Sequence, residues 1–285
     1  MSGRALVLGG GGVAGIAWLT GVIAGLAQDG ADVTGADLLV GTSAGAAVGA
    51  QLGSGLPVAE LLARQVDPEL QNRELVPSGG VTVAEFAEIW MRLAEENDDP
   101  VMIRRALGAR ALAADTVAEA ERRAVIEGRL PRHEWPSRAL KVTAVNALTG
   151  DLRVFDRDSG VGLVDAVAAS CAVPMIWPAV TIDAVRYVDG GVRSLTNADL
   201  AAGHERVLVI APMEDPGLDA DIAAVNDEGG RVEVISPDEA SLEAFGTDPL
   251  SPSTRTPAAL AGVAQGRALA AGIARFWGRG GPDGS

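Results

Sequence analysis

The stretch Asp37-Leu38-Leu39-Val40-Gly41-Thr42-Ser43-Ala44-Gly45-Ala46-Ala47-Val48 decides how this chain folds. Asp37–Val40 reads as a short buried strand, and the small residues from Ala44 to about Leu52 read as a helix. Gly-Thr-Ser-Ala-Gly turns the chain between them. A serine on a sharp strand-to-helix turn projects its hydroxyl outward, and Gly41 and Gly45 let the crowded backbone close. The helix behind it aims free N–H groups and a positive dipole end at the site, which favours developing negative charge. Ser43 is therefore the candidate nucleophile. The plain alternative is a glycine-flanked N-cap serine, and five-residue matches arise by chance, so the context has to decide.

Working outward, the same alternation recurs. Residues Ala5 to Gln28 carry no charge and follow Arg4, which superficially resembles a signal peptide or a membrane span. Four consecutive glycines, Gly9 to Gly12, interrupt the stretch, and each costs a helix ~1 kcal/mol relative to alanine. A buried strand (Ala5–Leu8), a glycine loop and a helix (about Val13 to Ala27) is the better parse, and a cytoplasmic location is the expectation. Between Pro57 and Leu130 strand signals are scarce. Thr82–Glu95 and Thr116–Gly128 show helical spacing, with Val83, Phe86, Ala87, Trp90 and Leu93 on one face. That region is either ordinary core packing or a lid and acyl-chain pocket using Phe86, Trp90, Met91 and Met102. Strands return at Leu140–Asn146 and Leu152–Phe155 around a Thr-Gly-Asp turn, which predicts a hairpin. A helix near Leu163–Cys171, strands at Ala179–Ile182, Arg186–Val188, Arg206–Ala211 and Val232–Ile235, and a helix over Ala258–Trp277 complete the pattern. Such alternation predicts an α/β layered fold with a mainly parallel sheet. No repeat or linker divides residues 1–277, and the Gly-rich tail 278–285 is expected to be frayed.

Two more motifs bear on chemistry. Gly9 to Gly15 matches the glycine pattern of a dinucleotide loop, Gly10-x-Gly12-x-x-Gly15. That fingerprint also needs an acidic residue ~20 positions on, at the end of a second strand. Asp29, Asp32 and Asp37 instead precede the second strand, which runs into the serine motif. Beside a nucleophile, the N–H groups of Gly10, Gly11 and Gly12 can serve as an oxyanion hole, with Gly15 supporting the turn. Farther on, Tyr187-Val188-Asp189-Gly190-Gly191 ends a strand. Alone, Asp-Gly signals a hairpin turn, but good bases are scarce elsewhere, since the chain has 2 histidines. His133 lies in a polar loop between prolines. His204 lies fifteen residues after Asp189, so a histidine triad stays open on spacing. A carboxylate acting directly on Ser43 is the other option.

Composition excludes several classes. A net charge of −15 opposes nucleic-acid binding. Eleven acidic residues and one arginine, Arg231, fall between Glu214 and Asp248, a block that reads as solvated surface. Such charge repels anionic head groups, so membrane contact is expected to be apolar or transient. The single cysteine, Cys171, forms no internal disulfide. No metal or other cofactor is implied, because the histidines and cysteine form no ligand-spaced cluster.

Taken in order, the Gly-Gly-Gly-x-x-Gly loop, Gly-x-Ser-x-Gly and the distant Asp-Gly-Gly resemble the patatin-like phospholipases. Ala168-Ala169-Ser170-Cys171-Ala172-Val173-Pro174, Trp177-Pro178 and Asn197 strengthen the likeness, which covers roughly residues 4–212. The resemblance implies a three-layer α/β/α fold and a Ser-Asp dyad without histidine. It makes Ser43 the nucleophile, Asp189 the base and Gly10–Gly12 the oxyanion hole, supported by Gly15, Gly41, Gly45, Gly190 and Gly191. The implied activity is hydrolysis of fatty-acid carboxylic esters, with a lipid or ester as partner and no cofactor. Ala14 departs from the pattern, since the family often has a basic residue there, and this puts a phospholipid preference in doubt. A nucleotide-binding protein using the Gly9–Gly15 loop and an acyltransferase of the same fold remain alternatives. A carboxylate base would predict an acidic limb of the rate profile away from pH ~6.5, where an unperturbed histidine titrates.

Overall fold

The computed structural model describes residues 3–278. Its strands are β1 (Arg4–Leu8), β2 (Leu38–Gly41), β3 (Ala139–Asn146), β4 (Leu152–Phe155), β5 (Val180–Ile182), β6 (Val185–Asp189), β7 (Arg206–Ile210) and β8 (Arg231–Ile235). The helices are α1 (Gly12–Gln28), α2 (Ala44–Gly53), α3 (Val58–Val66), α4 (Val83–Glu96), α5 (Pro100–Ala113), α6 (Glu119–Arg129), α7 (Leu163–Ser170), α8 (Leu218–Asp227), α9 (Glu239–Phe245) and α10 (Arg255–Trp277).

All strands join one sheet of order β5-β6-β3-β2-β1-β7-β8, with β4 paired to β3. From β3 across to β8 the pairs are parallel. The hairpins β3–β4 and β5–β6 make the other end antiparallel. The tip of the second hairpin, Asp183-Ala184, has both φ angles positive (49° and 64°), the conformation a two-residue hairpin needs.

Alternation along the strands loads both faces. Leu6, Leu8, Leu39, Leu208 and Ile210 face one core, shared with α1, α2, α7 and α10. Ala5, Val7, Leu38, Val40, Val207 and Val209 face the other, closed by Val225 of α8 and a 3₁₀ turn over Ala198–Ala201. At the antiparallel end Val145 and Val188 are covered by α4 and α5 through Leu93 and Leu107. The fold is thus a three-layer α/β/α arrangement with a mainly parallel sheet, as the motif order implied.

The uncharged stretch from Ala5 is consumed inside. Every residue from Val13 to Leu26 of α1 is buried, because α10 lies along it. The two helices approach so closely that a Cβ at Gly262 would sit 2.5 Å from the Trp18 carbonyl oxygen, and one at Gly21 would strike the Ala259 carbonyl. Among the described residues no helix is long and apolar enough to cross a membrane.

Several local expectations change. Helices α3 and α5 add to those expected, and Ala87 faces solvent on α4 while Ile89 joins the apolar side. Met91 and Met102 are exposed. Asp-Gly at 189–190 starts a 3₁₀ turn over Gly190–Val192 rather than a hairpin. The acidic block contains α8 and α9, and its Asp221 is buried. Of the tail expected from 278 onward, all but Gly278 lies outside the described residues.

Register brings the motifs together. Gly41 pairs with Val142 of β3, so Ser43, two residues on, lies level with Ala144. Asp189 pairs with Ala144. Leu8 pairs with Gly41, which brings the loop after β1 to the same level. The chain leaves β1 for β2 on one side and returns through β7 on the other, so this is a switch point at the carboxyl ends of parallel strands. Such crevices bind ligands in open α/β sheets.

Candidate active site

Ser43 has φ 53° and ψ −113°, outside the regions an L-residue normally occupies. Tertiary contacts hold it there. Its N–H donates to Ser170 Oγ at 2.9 Å, and its carbonyl accepts from the Cys171 thiol at 3.3 Å. Gly45 N–H donates to Gly9 O at 3.0 Å, and a side chain at Gly45 would collide with the Leu8 carbonyl. The serine turn is thus wedged between the end of α7 and the glycine loop. Burial pushes the Cys171 thiol up to about 11, so it stays protonated at neutral pH.

Asp189 is 4% exposed. Its Oδ1 accepts from Gly191 N–H at 2.7 Å. The Ser43 hydroxyl approaches the carboxyl closely enough to favour its ionised form, but the pair lacks full hydrogen-bond geometry, and Oδ2 is buried without a partner. Burial dominates the titration: it raises the carboxyl to about 7 against the opposing pull of Ser43, Gly191 and Arg122. The position of the acidic limb therefore does not separate this carboxylate from a histidine, contrary to the expectation from sequence.

Behind Asp189, a side chain at Gly190 would collide with Thr143. Asn197, buried at φ 50°, donates through Nδ2 to Ser194 O (2.6 Å) and Thr42 Oγ1 (3.0 Å), tying the Asp189 loop to the serine turn. Asp215 accepts from Thr196 N–H at 2.9 Å, and Asp221 accepts from Ser194 Oγ at 2.8 Å and Ala198 N–H at 3.0 Å. Two residues of the acidic block therefore brace this loop instead of facing water.

The glycine loop divides its N–H groups. Gly10 N–H donates to Leu195 O at 2.8 Å, which takes it out of the oxyanion role given to it above. Gly11 and Gly12 N–H have no acceptor among the described residues, and neither has Ala44 N–H at the head of α2. Gly12 requires φ +64°, and a Cβ there would sit 2.8 Å from Pro249 O. Gly15 N–H donates to Gly11 O at 2.8 Å. The buried Ala14 donates its N–H to Pro249 O at 3.0 Å. That carbonyl stands at the N-terminus of α1, where a dinucleotide would need its pyrophosphate.

Neither histidine joins the site. His204 precedes β7, whose first residue pairs with Arg4, at the opposite edge of the sheet. The intervening strand length is ~15 Å, and its Nδ1 lies 3.0 Å from Ala201 O. His133 is half exposed beside Glu127. Among the described residues no group of three or more His, Cys, Asp or Glu side chains could hold a metal ion.

Ser43 lines a pocket of about 20 Å³ together with Gly12, Val13, Ala44, Glu74, Arg122, Arg129, Cys171, Trp177 and Leu250, among others. The arginines, Ser170 and Ala44 went unnoticed in sequence as site residues. Ser170 and Ala44 both lay in quoted motifs, but nothing there marked the hydroxyl of the one or the N–H of the other.

A mainly parallel α/β sheet with a strained serine turn at its switch point places the chain among the open-sheet α/β proteins, whose ligands bind at the carboxyl ends of the strands. Within that class, the family model for patatin-like phospholipase matches residues 6–202, and the chain belongs to that family. The family supports lipid hydrolase activity. No curated protein matches the chain at a significant level. Among solved structures it is similar to VipD from Legionella pneumophila (15% identity, TM-score 0.49), with 95% of this chain and 67% of that one covered. It is also similar to the type III effector protein ExoU (14% identity, TM-score 0.43), with 95% and 53% covered. The chain spans about two thirds of the first and about half of the second.

Proposed function

We propose that this protein hydrolyses carboxylic esters of fatty acids through an acyl-enzyme on Ser43, with Asp189 as the base. The observation that carries the reading is the juxtaposition of a serine held at φ 53° with a buried carboxyl of pKa about 7 whose Oδ2 is free. Asp189 takes the Ser43 proton as the oxygen attacks the ester carbonyl. Gly11, Gly12 and Ala44 N–H groups are the donors available to the oxyanion, an arrangement of loop and post-nucleophile N–H groups suited to acyl transfer. Collapse returns the proton from Asp189 to the leaving oxygen, and an alcohol or lysolipid departs. Water, deprotonated by the same carboxylate, then attacks the acyl-enzyme, and the fatty acid leaves with Ser43 reprotonated.

A fluorophosphonate should label the wild-type protein at Ser43, and the purified protein should release free fatty acid from an ester. Ser43→Ala should abolish both. Retention of most activity in folded Ser43→Ala protein would overturn the proposal. Labelling with acyl transfer to an alcohol but no free acid would convert the hydrolase to an acyltransferase.

A further inference from the structure

We propose that residues 67–82 form a strap closed over the Ser43 pocket, latched by Glu74, and that the strap must swing away to admit an ester. The inference rests on the ester-hydrolase reading and adds a gate to it.

The room beside Ser43 is too small for the reaction proposed. Ser43 is 8% exposed, and the pocket of about 20 Å³ holds roughly one water molecule. A site that encloses a molecule the size of a fatty-acid ester needs on the order of several hundred Å³. Glu74 and Leu75 are among the residues that close the space. Both belong to the stretch 67–82 between α3 and α4, which forms neither helix nor strand. Irregular segments of that length are uncommon in compact domains and usually serve as lids or binding loops.

Side chains, not backbone, hold the stretch down. From Gln71 to Gly80 no backbone N–H donates to an acceptor among the described residues. Glu74, with its side chain 1% exposed, accepts from Arg129 Nη2 and from Arg255 Nη2, each at 2.6 Å. Arg255 also donates to Asn72 O at 3.0 Å. Both arginines belong to the body of the fold: Arg129 ends α6, and Arg255 begins α10, the helix that lies along α1. Burial alone would raise the Glu74 carboxyl, yet these two arginines hold it below its ordinary value, so the latch is ionised at neutral pH. Next to it Leu75 packs against Ile176, Trp177 and Leu250. At the far end Gly79 and Gly80 have φ 73° and 67°, and Val81 N–H donates to Met175 O at 3.2 Å. Two consecutive glycines there give the chain a pivot that can absorb a backbone rotation.

The closed state is poised to open. Arg122 Nη1 stands 4.0 Å from Glu74 Oε2, beyond hydrogen-bond reach, and Arg122 Nε and Nη1 are buried without partners. Burying unpaired charged donors is costly, and lifting the strap opens this cluster to water, which lowers the cost.

A purely structural role for Glu74 competes with this one, and the two predict opposite signs. If Glu74 only braces the fold, removing its charge should loosen the protein and slow the serine. If Glu74 is a latch, Glu74→Gln leaves Arg129 and Arg255 buried and unpaired only while the strap is closed, so the population shifts toward the open form.

The test times the labelling of Ser43 by a long-chain alkyl fluorophosphonate in wild type and Glu74→Gln, alongside trypsin cleavage after Arg73, which is exposed on the strap. Both rates should rise at least ~10-fold in Glu74→Gln, since access scales with the open fraction, and Glu74→Asp should fall between. Slower or unchanged labelling in folded Glu74→Gln would overturn the latch. Faster labelling with unchanged cleavage would overturn it too, because access would then not come from movement of the strap. Should Glu74→Gln not fold, Leu75→Ala takes its place: it trims the apolar contact, leaves the ion cluster intact and should quicken cleavage after Arg73, and an unchanged rate would refute the strap. Quickened cleavage without labelling of any of these proteins would sink the ester-hydrolase reading and leave the strap standing.

Discussion

Replacing Asp189 by asparagine should stabilise the protein while it stops the reaction, and the gain should grow with pH. Burial lifts the carboxyl from 3.8 to about 7. The unfolded chain titrates it near its ordinary value, so between these pH values the folded state holds a proton the unfolded state has released. The stability tied to the neutral carboxyl is present below pH ~4 and is lost as pH rises through ~7. Linkage over that shift makes the penalty roughly 2 kcal/mol at pH ~5.5 and roughly 4 kcal/mol at pH ~8.5. Asparagine keeps the shape and an acceptor for Gly191 N–H but does not ionise. Whatever else the amide changes does not titrate, so the difference of about 2 kcal/mol between the two pH values isolates the carboxyl. Urea unfolding followed by the fluorescence of the 5 tryptophans, on both proteins at both pH values, measures it. A gain equal at the two pH values within about 0.5 kcal/mol would refute the argument. Turnover of the same variant should fall ~10²–10⁴-fold, the worth of a general base.

Two further outcomes are expected. His133→Ala and His204→Ala should each keep near wild-type turnover, and both should keep an acidic limb near pH 7, set by Asp189; collapse of activity in folded His204→Ala would restore the triad. Gly12→Ala should lower turnover of the folded fraction ~10²–10³-fold by displacing oxyanion donors, and it should lower the melting temperature because φ +64° and the Pro249 carbonyl both oppose a methyl group; normal turnover per folded molecule would make the loop purely structural.

What could be read from sequence was what local chemistry writes. Strands β1, β2 and β7 are continuous apolar runs because both faces are buried, and the serine turn and glycine loop need glycines that leave a visible string. Helix α3 does carry a legible stripe, Val58, Leu61, Leu62 and Val66 at helical spacing, whereas α5 spreads its apolar residues around its axis, so no stripe marks it. Asp189-Gly190 opens a 3₁₀ turn, not the hairpin that the pair alone suggests, because the loop beyond it is held by Asn197 and by Asp215 and Asp221 from the acidic block. The Gly10 assignment failed for a similar reason: its N–H is claimed by Leu195, 185 residues away. Ser170 and Arg122 belong with these. A buried hydroxyl on the nucleophile's backbone and a guanidinium without a partner are properties of places, and neither has a spacing.

The titration of Asp189 also explains how the proposed mechanism can do without an imidazole. A carboxyl at its ordinary pKa of 3.8 is a weak base for a serine hydroxyl and a poor donor to a leaving alkoxide. Raised to about 7, it is roughly half ionised at neutral pH. It can then accept the Ser43 proton in one step and return it in the next, the match of pKa to working pH that favours general catalysis. The cause is burial, opposed by the Ser43 contact, the Gly191 N–H and the charge of Arg122. Of these opposing groups Arg122 can be removed without removing the nucleophile, and Arg122→Gln should push the carboxyl higher and shift the acidic limb upward. The base is therefore tuned by the same glycine turn and the same pocket arginine that build the rest of the site.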